Sequence, residues 1–226
     1  MNKQKISVLV ADDHTIVRRG LVSLLSLIPE IEVVGEAADG RSAVAQTLEK
    51  KPDIVLMDIS MPLLNGLEAT KQIKNQDPNV KVVVLSAYDN ESYILESIRS
   101  GANGYLLKNS SWEDLHAAIK AVHTGQAFFS PGVSKIIADN YIKGSVPGSK
   151  EDHFPADGGH RLTQREREIL QLVAEGKSHQ QIADMLHISV RTVDTHRNNI
   201  IQKLDIHDTA SLVTYAIKNG IVILQK

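Results

Sequence analysis

The stretch Pro52-Asp53-Ile54-Val55-Leu56-Met57-Asp58-Ile59-Ser60-Met61-Pro62 decides how this chain folds. Ile54 to Met57 is apolar at every position, so it presents an apolar side chain to both faces. That is the pattern of a buried strand in a parallel sheet. Asp58 falls where such a strand ends, at the carboxyl edge where open α/β sheets place their ligand crevice. Pro62 and Asn65-Gly66 mark the loop beyond it. A carboxylate at that edge is a helix cap, a metal ligand or a nucleophile, and this stretch alone leaves all three open.

Working outward, strand and helix alternate. Ile6 to Ala11 is a strand running into Asp12-Asp13. A helix follows from His14 to about Ile28, with Val17, Leu21, Leu24, Leu25 and Ile28 on one face. Ile31 to Ala37 is a strand, and Asp39 caps a helix over 40–50 with Ala43, Val44 and Leu48 inward. After the central strand come a helix over 65–76, a strand Val80 to Leu85 ending at Ser86-Ala87, and a short helix Ser92 to Arg99 closed by Gly101. Asn103 to Leu107 is a strand ending at Lys108. Ser110 with Glu113 reads as a capping box opening a helix that runs to Thr124. Five strands alternating with helices predict a parallel sheet covered on both faces. Asp12, Asp13, Asp58, Ser86 and Lys108 all sit at strand C-termini and are expected to meet at one edge.

The pattern changes after residue 125. A helix is expected over 131–143, with Val133, Ile137 and Tyr141 in one stripe. Residues 144–149 and 155–159 have linker composition. From Leu162 the pattern is helical throughout. Thr163-Gln164-Arg165-Glu166 is a capping box, Ser178 starts a second helix, Ser189 caps a third over 190–204, and Asp208 caps a fourth. His187-Ile188-Ser189 is a tight link between two short helices, which reads as a helix-turn-helix. The expected division is therefore 1–125, a linker 126–160, and a helical domain 161–226.

Composition narrows the class. The chain has no cysteine, which excludes disulfides, thiolate zinc sites and cysteine nucleophiles. No apolar run approaches the roughly 20 residues of a membrane span. The first strand meets two acids too soon for a signal core, so the expected location is cytoplasmic. The last 70 residues carry nine basic and eight acidic side chains. DNA binding there has to rest on placed contacts more than on bulk charge.

Three carboxylates at one edge repel unless a hard cation sits among them. Magnesium suits a site with few carboxylates, several waters and a phosphoryl oxygen. Asp13 and Asp58 are the expected direct ligands, with Asp12 acting through a bound water. Asp58 then remains able to attack a phosphoryl group, with Lys108 and the Ser86 hydroxyl positioned for its oxygens.

Residues 1–125 resemble the receiver domain of bacterial two-component response regulators. The resemblance rests on Asp12-Asp13, Asp58 with Met61-Pro62 and Gly66, Ser86-Ala87, and Gly104-Tyr105-Leu106-Leu107-Lys108. It implies a flavodoxin/CheY-like fold, Asp58 as phosphoacceptor from a sensor histidine kinase, and the Ser60 backbone carbonyl as a further Mg²⁺ ligand. It also implies Ser86 and Tyr105 as a switch pair, with Tyr105 rotating into space that Ser86 vacates. Asn109 stands where the family usually has proline, which weakens the expectation of a cis bond there. Ser60 and Tyr88, two residues past Asp58 and Ser86, are expected to govern water access to an acyl phosphate.

Residues 162–220 are similar to the LuxR/NarL class of DNA-binding domain. The matching residues are Leu162 to Glu166, Ile182-Ala183, Leu186, Ser189 to Val193, His196, Ile200 and Lys203-Leu204. Both resemblances together imply a NarL/FixJ-type regulator of transcription that binds double-stranded DNA and forms a homodimer when phosphorylated, partly through the fourth helix. Asp194, Thr195 and Asn198 become base-edge candidates. Arg191, Arg197, Asn199 and Lys203 become phosphate-contact candidates, and His196 is expected to pack. Two other classes share part of this pattern. A haloacid dehalogenase-type phosphatase normally has a second aspartate where Ser60 stands. A flavodoxin-like cofactor binder needs a phosphate loop where Asp12-Asp13 would repel the ligand.

Overall fold

The computed structural model describes residues 5–89, 91–142 and 162–222. The chain divides into two compact units, Met1–Ser149 and Lys150–Lys226.

In the first unit the elements are β1 (Ile6–Ala11), α1 (Thr15–Ser26), β2 (Ile31–Ala37), α2 (Gly40–Lys50), β3 (Ile54–Asp58), α3 (Gly66–Gln76) and β4 (Lys81–Ser86). They continue with α4 (Glu91–Arg99), β5 (Gly104–Leu107), α5 (Trp112–His123), β6 (Phe128–Phe129) and α6 (Pro131–Ile142). The strands form one sheet in the order β2-β1-β3-β4-β5-β6. All pairings are parallel. Side chains alternate across it, as the strand period of two requires. Ile54 and Leu56 join Val8, Val10, Val83, Leu85 and Leu106 under Leu25 of α1 and Ile119 of α5. Val55 and Met57 join Leu9, Ala11 and Val82 under Ala43 of α2 and Ile73 of α3. Each fully buried Val, Leu or Ile contributes about 1.5–3 kcal/mol. A charge at Val55 would therefore be intolerable.

β1 lies beside both β2 and β3, so the order reverses there and a crevice opens at the strand ends. The register sets Ala11 opposite Met57, Asp58 opposite Leu85 and Ser86 opposite Leu107. Strand-end chemistry is thereby aligned along one row. Gly66 is required by a close approach: a Cβ there would sit 1.9 Å from the Asp58 carbonyl oxygen. The loop folds back so tightly because the Gly66 N–H donates to the Ile59 carbonyl at 2.8 Å.

Several expectations are corrected. The sheet has six strands, not five. Phe128 and Phe129 pair with Gly104 and Tyr105, and two residues are too few to show a period. The stretch expected as a linker from residue 126 therefore includes the edge strand β6, and α6 lies against α4 and β6 with Val133 buried. The expected linker at 144–149 and 155–159 falls outside the described residues. The capping box of α5 is Ser111 with Asp114, one residue on from Ser110 and Glu113. On α1, Val17 and Leu24 are exposed, as is Leu48 on α2, where Thr47 is buried instead. In keeping with asparagine in place of proline, Lys108–Asn109 is trans, and no cis peptide bond occurs among the described residues.

The second unit contains α7 (Gln164–Ala174), α8 (His179–Leu186), α9 (Val190–Leu204) and α10 (Thr209–Lys218). Ser178 and Thr163 close full capping boxes. Ser189 accepts the Thr192 N–H, and Asp208 accepts that of Ser211. α9 packs on α7 and α8, and α10 packs on α7. The shared core is built from Ile169, Leu172, Ile182, Leu186, Val193, Ile200, Leu212 and Ala216. The link after α8 turns sharply because His187 adopts a left-handed conformation (φ 52°).

Candidate functional site

The crevice at the sheet edge gathers acids on a cation. Asp12 and Asp58 are 1% and 3% exposed, so neither is a solvated surface charge. Lys108 Nζ lies 2.7 Å from Asp12 Oδ2 and 2.8 Å from Asp58 Oδ2, donating to the latter. Asp13 is less buried, with Oδ1 2.7 Å from His14 Nδ1. His14 also approaches Asp12 Oδ1 at 3.5 Å, and its backbone N–H donates to that oxygen at 2.8 Å. Arg18 of α1 donates to the Asp12 carbonyl at 2.7 Å, tying helix to strand below the site.

Burial pushes the Asp58 carboxyl up to about 6, with Asp12 and Asp13 adding to the rise, against the Lys108 hydrogen bond that lowers it. Burial would lower Lys108, but its hydrogen bonds to Asp12 and Asp58 hold it above its ordinary value. Two carboxylate oxygens, Asp12 Oδ2 and Asp13 Oδ1, are buried, and their close neighbours are the ion-pair contacts to Lys108 and His14 at 2.7 Å. Ligand atoms of Asp12, Asp13, His14 and Asp58 lie within 4.8 Å of one another. Hard oxygen donors with unused lone pairs fit a hard divalent cation.

The loop after β4 forms the far wall. Ser86 is fully buried, and its Oγ accepts the Tyr88 N–H at 3.0 Å. The Tyr105 hydroxyl donates to the Tyr88 carbonyl at 2.6 Å. Burial pushes its phenol up, against a Ser86 hydrogen bond that lowers it. Tyr105 is itself fully buried. The Ser60 hydroxyl donates to the Tyr88 phenol at 3.4 Å, and the Tyr88 ring lies 5.1 Å from that of Tyr93. Tyr88 is thus a hub for three elements; spacing placed it beside Ser60, while its links to Tyr105 and Tyr93 come only from the fold. His14 was missed as well, although a histidine directly after two aspartates was a usable signal.

The second surface is α9. Arg191, Asp194, Thr195, Asn198 and Gln202 are exposed, opposite buried Val193 and Ile200. Asp194 is in contact with His179 across α8 and α9. Arg197 and Asn199 are half-buried, with Arg197 reaching Thr209 at 3.4 Å. Lys203, expected among the phosphate contacts, is held at 2.7 Å by buried Glu166. His196 is half-buried, with Nδ1 unpartnered among the described residues.

Comparisons with known proteins agree with both halves. Residues 8–120 match the response regulator receiver domain. Residues 160–216 match the bacterial regulatory proteins of the luxR family. The chain is 39% identical over 228 residues to the transcriptional regulatory protein DegU of Brevibacillus brevis, covering 97% of this chain and 96% of that one. It is 36% identical over 220 residues to the oxygen regulatory protein NreC of Staphylococcus carnosus (96% and 99% covered). Among solved structures, RcsB from Salmonella enterica serovar Typhimurium, bound to a promoter in the presence of a phosphomimetic, has a TM-score of 0.58 at 27% identity, with 97% and 100% covered. The response regulator ChrA of a heme-sensing two-component system has a TM-score of 0.52 at 34% identity, with 97% and 100% covered.

Fold and site together define a receiver domain joined to a helix-turn-helix DNA-binding domain. The chain belongs to the NarL/FixJ-type two-component response regulators, and its function is regulation of transcription through DNA binding. The phosphatase alternative has no support in these matches.

Proposed function

We propose that Asp58 is the residue that takes the signal. A carboxylate oxygen attacks the phosphorus of a phosphohistidine on a sensor kinase. The P–N bond breaks as the acyl phosphate forms, and the departing imidazole takes a proton. What carries this reading is the buried Asp58 carboxylate with Lys108 at 2.8 Å and two further acids beside it. Lys108 answers charge on the phosphoryl oxygens, and the Ser86 hydroxyl donates to one of them. Asp13, Asp58 and the Ser60 backbone carbonyl would hold a Mg²⁺ ion, with Asp12 acting through a water, and the ion would supply the remaining charge neutralisation.

The switch is a change of partner. In the present arrangement Ser86 Oγ is engaged by the Tyr88 N–H, and Tyr88 is held in turn by Tyr105. A phosphoryl group on Asp58 draws Ser86 away and shifts the population of the β4–α4 loop. The chain does no turnover beyond accepting and slowly losing this group. The output is dimerisation and binding to double-stranded DNA, with Asp194, Thr195 and Asn198 at base edges and Arg191, Arg197 and Asn199 on phosphates. Lys203 reaches phosphate only by leaving Glu166, so its role there is secondary.

The test is uptake from a small acyl-phosphate donor in Mg²⁺, followed by intact mass spectrometry. One phosphoryl group per chain is expected, none in Asp58→Ala, and tighter DNA binding by the labelled protein. Full labelling of Asp58→Ala would overturn the assignment.

A further inference from the structure

A carboxylate is an unexpected group on a helix face meant for DNA. Phosphates on both sides of the groove repel it, and it is useful only if one oxygen is held toward a cytosine amine. Asp194 has such a support. His179 Nδ1 lies 2.7 Å from Asp194 Oδ1. The two side chains are 40% and 51% exposed, so the contact sits at the surface and fills no core space. The partner comes from the neighbouring helix: His179 is the first residue of α8, whose start is fixed by the Ser178 capping box. The N-cap of α9, Ser189, is held to Thr192 through both its side-chain contacts. Both ends of the contact therefore stand on fixed backbone.

We propose that His179 is a specificity-determining positioning residue, pinning one oxygen of Asp194 so that the other accepts from the exocyclic amine of a cytosine in the major groove. The inference rests on α9 being the DNA-reading helix. Oδ1 faces the ring, and Oδ2 has no partner among the described residues. A proton on Nδ1 points at the carboxylate and fixes which oxygen the ring holds. Pinning reduces the rotamer freedom lost on binding. Thr195 and Asn198 share the exposed face and read other bases; His179 acts only through Asp194.

The test is selection of sites from a randomised duplex pool by the full chain at one salt concentration. The wild type is expected to prefer cytosine at one position by about tenfold. Asp194→Ala and His179→Ala each flatten that same position, and the double variant flattens it no further. His179→Asn, whose amide nitrogen falls near the place of Nδ1, restores most of the preference. Other positions and the melting temperature stay unchanged. If Asp194→Ala flattens the position while His179→Ala leaves it sharp, the pairing is idle and the proposal falls. Equal loss at every position with lowered melting in His179→Ala overturns it too, by making the role structural. If alanine at Asp194, Thr195 and Asn198 all leave the selected sequence intact, α9 is not the reader, and the underlying reading fails with the proposal.

Discussion

Two buried carboxylates, one in each unit, meet a lysine at nearly the same distance and behave in opposite ways. Asp58 is 2.8 Å from Lys108, and Glu166 is 2.7 Å from Lys203. They are 3% and 2% exposed. Burial acts to raise both. For Asp58 it wins, and the carboxyl stands at about 6. For Glu166 the Lys203 hydrogen bond and the Thr163 N–H, which donates to it at 2.7 Å, bring the carboxyl below its usual value. The difference lies in the neighbours. Glu166 has its own lysine and a backbone donor. Asp58 shares its lysine with Asp12 and has Asp13 close by. One site is complete and holds the fold together. The other is short of positive charge, which is the condition the proposed cation and phosphoryl chemistry needs.

The largest effect should come from removing the geometry under Asp58. Gly66→Ala forces a methyl group against the Asp58 carbonyl and is expected to cost about 3 kcal/mol or more, read as a lower urea midpoint for the receiver. A midpoint equal to wild type would show that the loop can relax and that the glycine is not structural. Next is Glu166→Gln, which leaves Lys203 facing a neutral partner and should destabilise the DNA-binding unit by about 2–4 kcal/mol. Because the folded Glu166 carboxyl is depressed, its contribution is present above the ordinary glutamate value and is lost as pH falls through the folded one. The gap between variant and wild type, followed by amide exchange on α7 and α9, should close in acid.

Asp58→Asn should have the opposite sign. A raised carboxyl contributes stability below about pH 4, which is lost as pH climbs through about 6. At neutral pH the variant should therefore be more stable than wild type by about 1–3 kcal/mol, with no phosphoryl uptake. Mg²⁺ should raise the melting temperature of wild type more at pH 7.5 than at pH 5, and leave the variant nearly unchanged. A destabilised Asp58→Asn would erase the contrast between the two carboxylates. The smallest effect concerns Tyr88, whose phenol meets Ser60 at 3.4 Å beside the crevice. Tyr88→Ala should shorten the phosphoryl lifetime a few-fold, timed by loss of label; an unchanged lifetime would make Tyr88 an interface or packing residue alone.

Reading the chain residue by residue found the crevice because a buried strand and its terminal polar residue are adjacent in sequence. Asp12, Asp58, Ser86 and Lys108 each follow an apolar run, and the parallel register aligned them. It missed β6 because Phe128-Phe129 shows no period. It placed the α5 cap one residue early because Ser110 and Ser111 are both followed three residues later by an acid. It treated Lys203 as free because its partner, Glu166, lies 37 positions away. The same separation in kind hid the contact between His179 and Asp194.

Local order along the chain was enough to set the alternating strands, the capping residues, the helix-turn-helix and the identity of the acids at the sheet edge. Those properties depend on side-chain periodicity and on neighbours within a turn or two. The tertiary structure decided which charges find partners: Lys108 between two acids, Lys203 on Glu166, His179 on Asp194, Tyr88 between Ser86 and Tyr105. Such pairings arise from distances between elements remote in sequence, and the electrostatic energy that raises the Asp58 carboxyl and lowers that of Glu166 depends on those distances and on burial, neither of which a linear pattern contains.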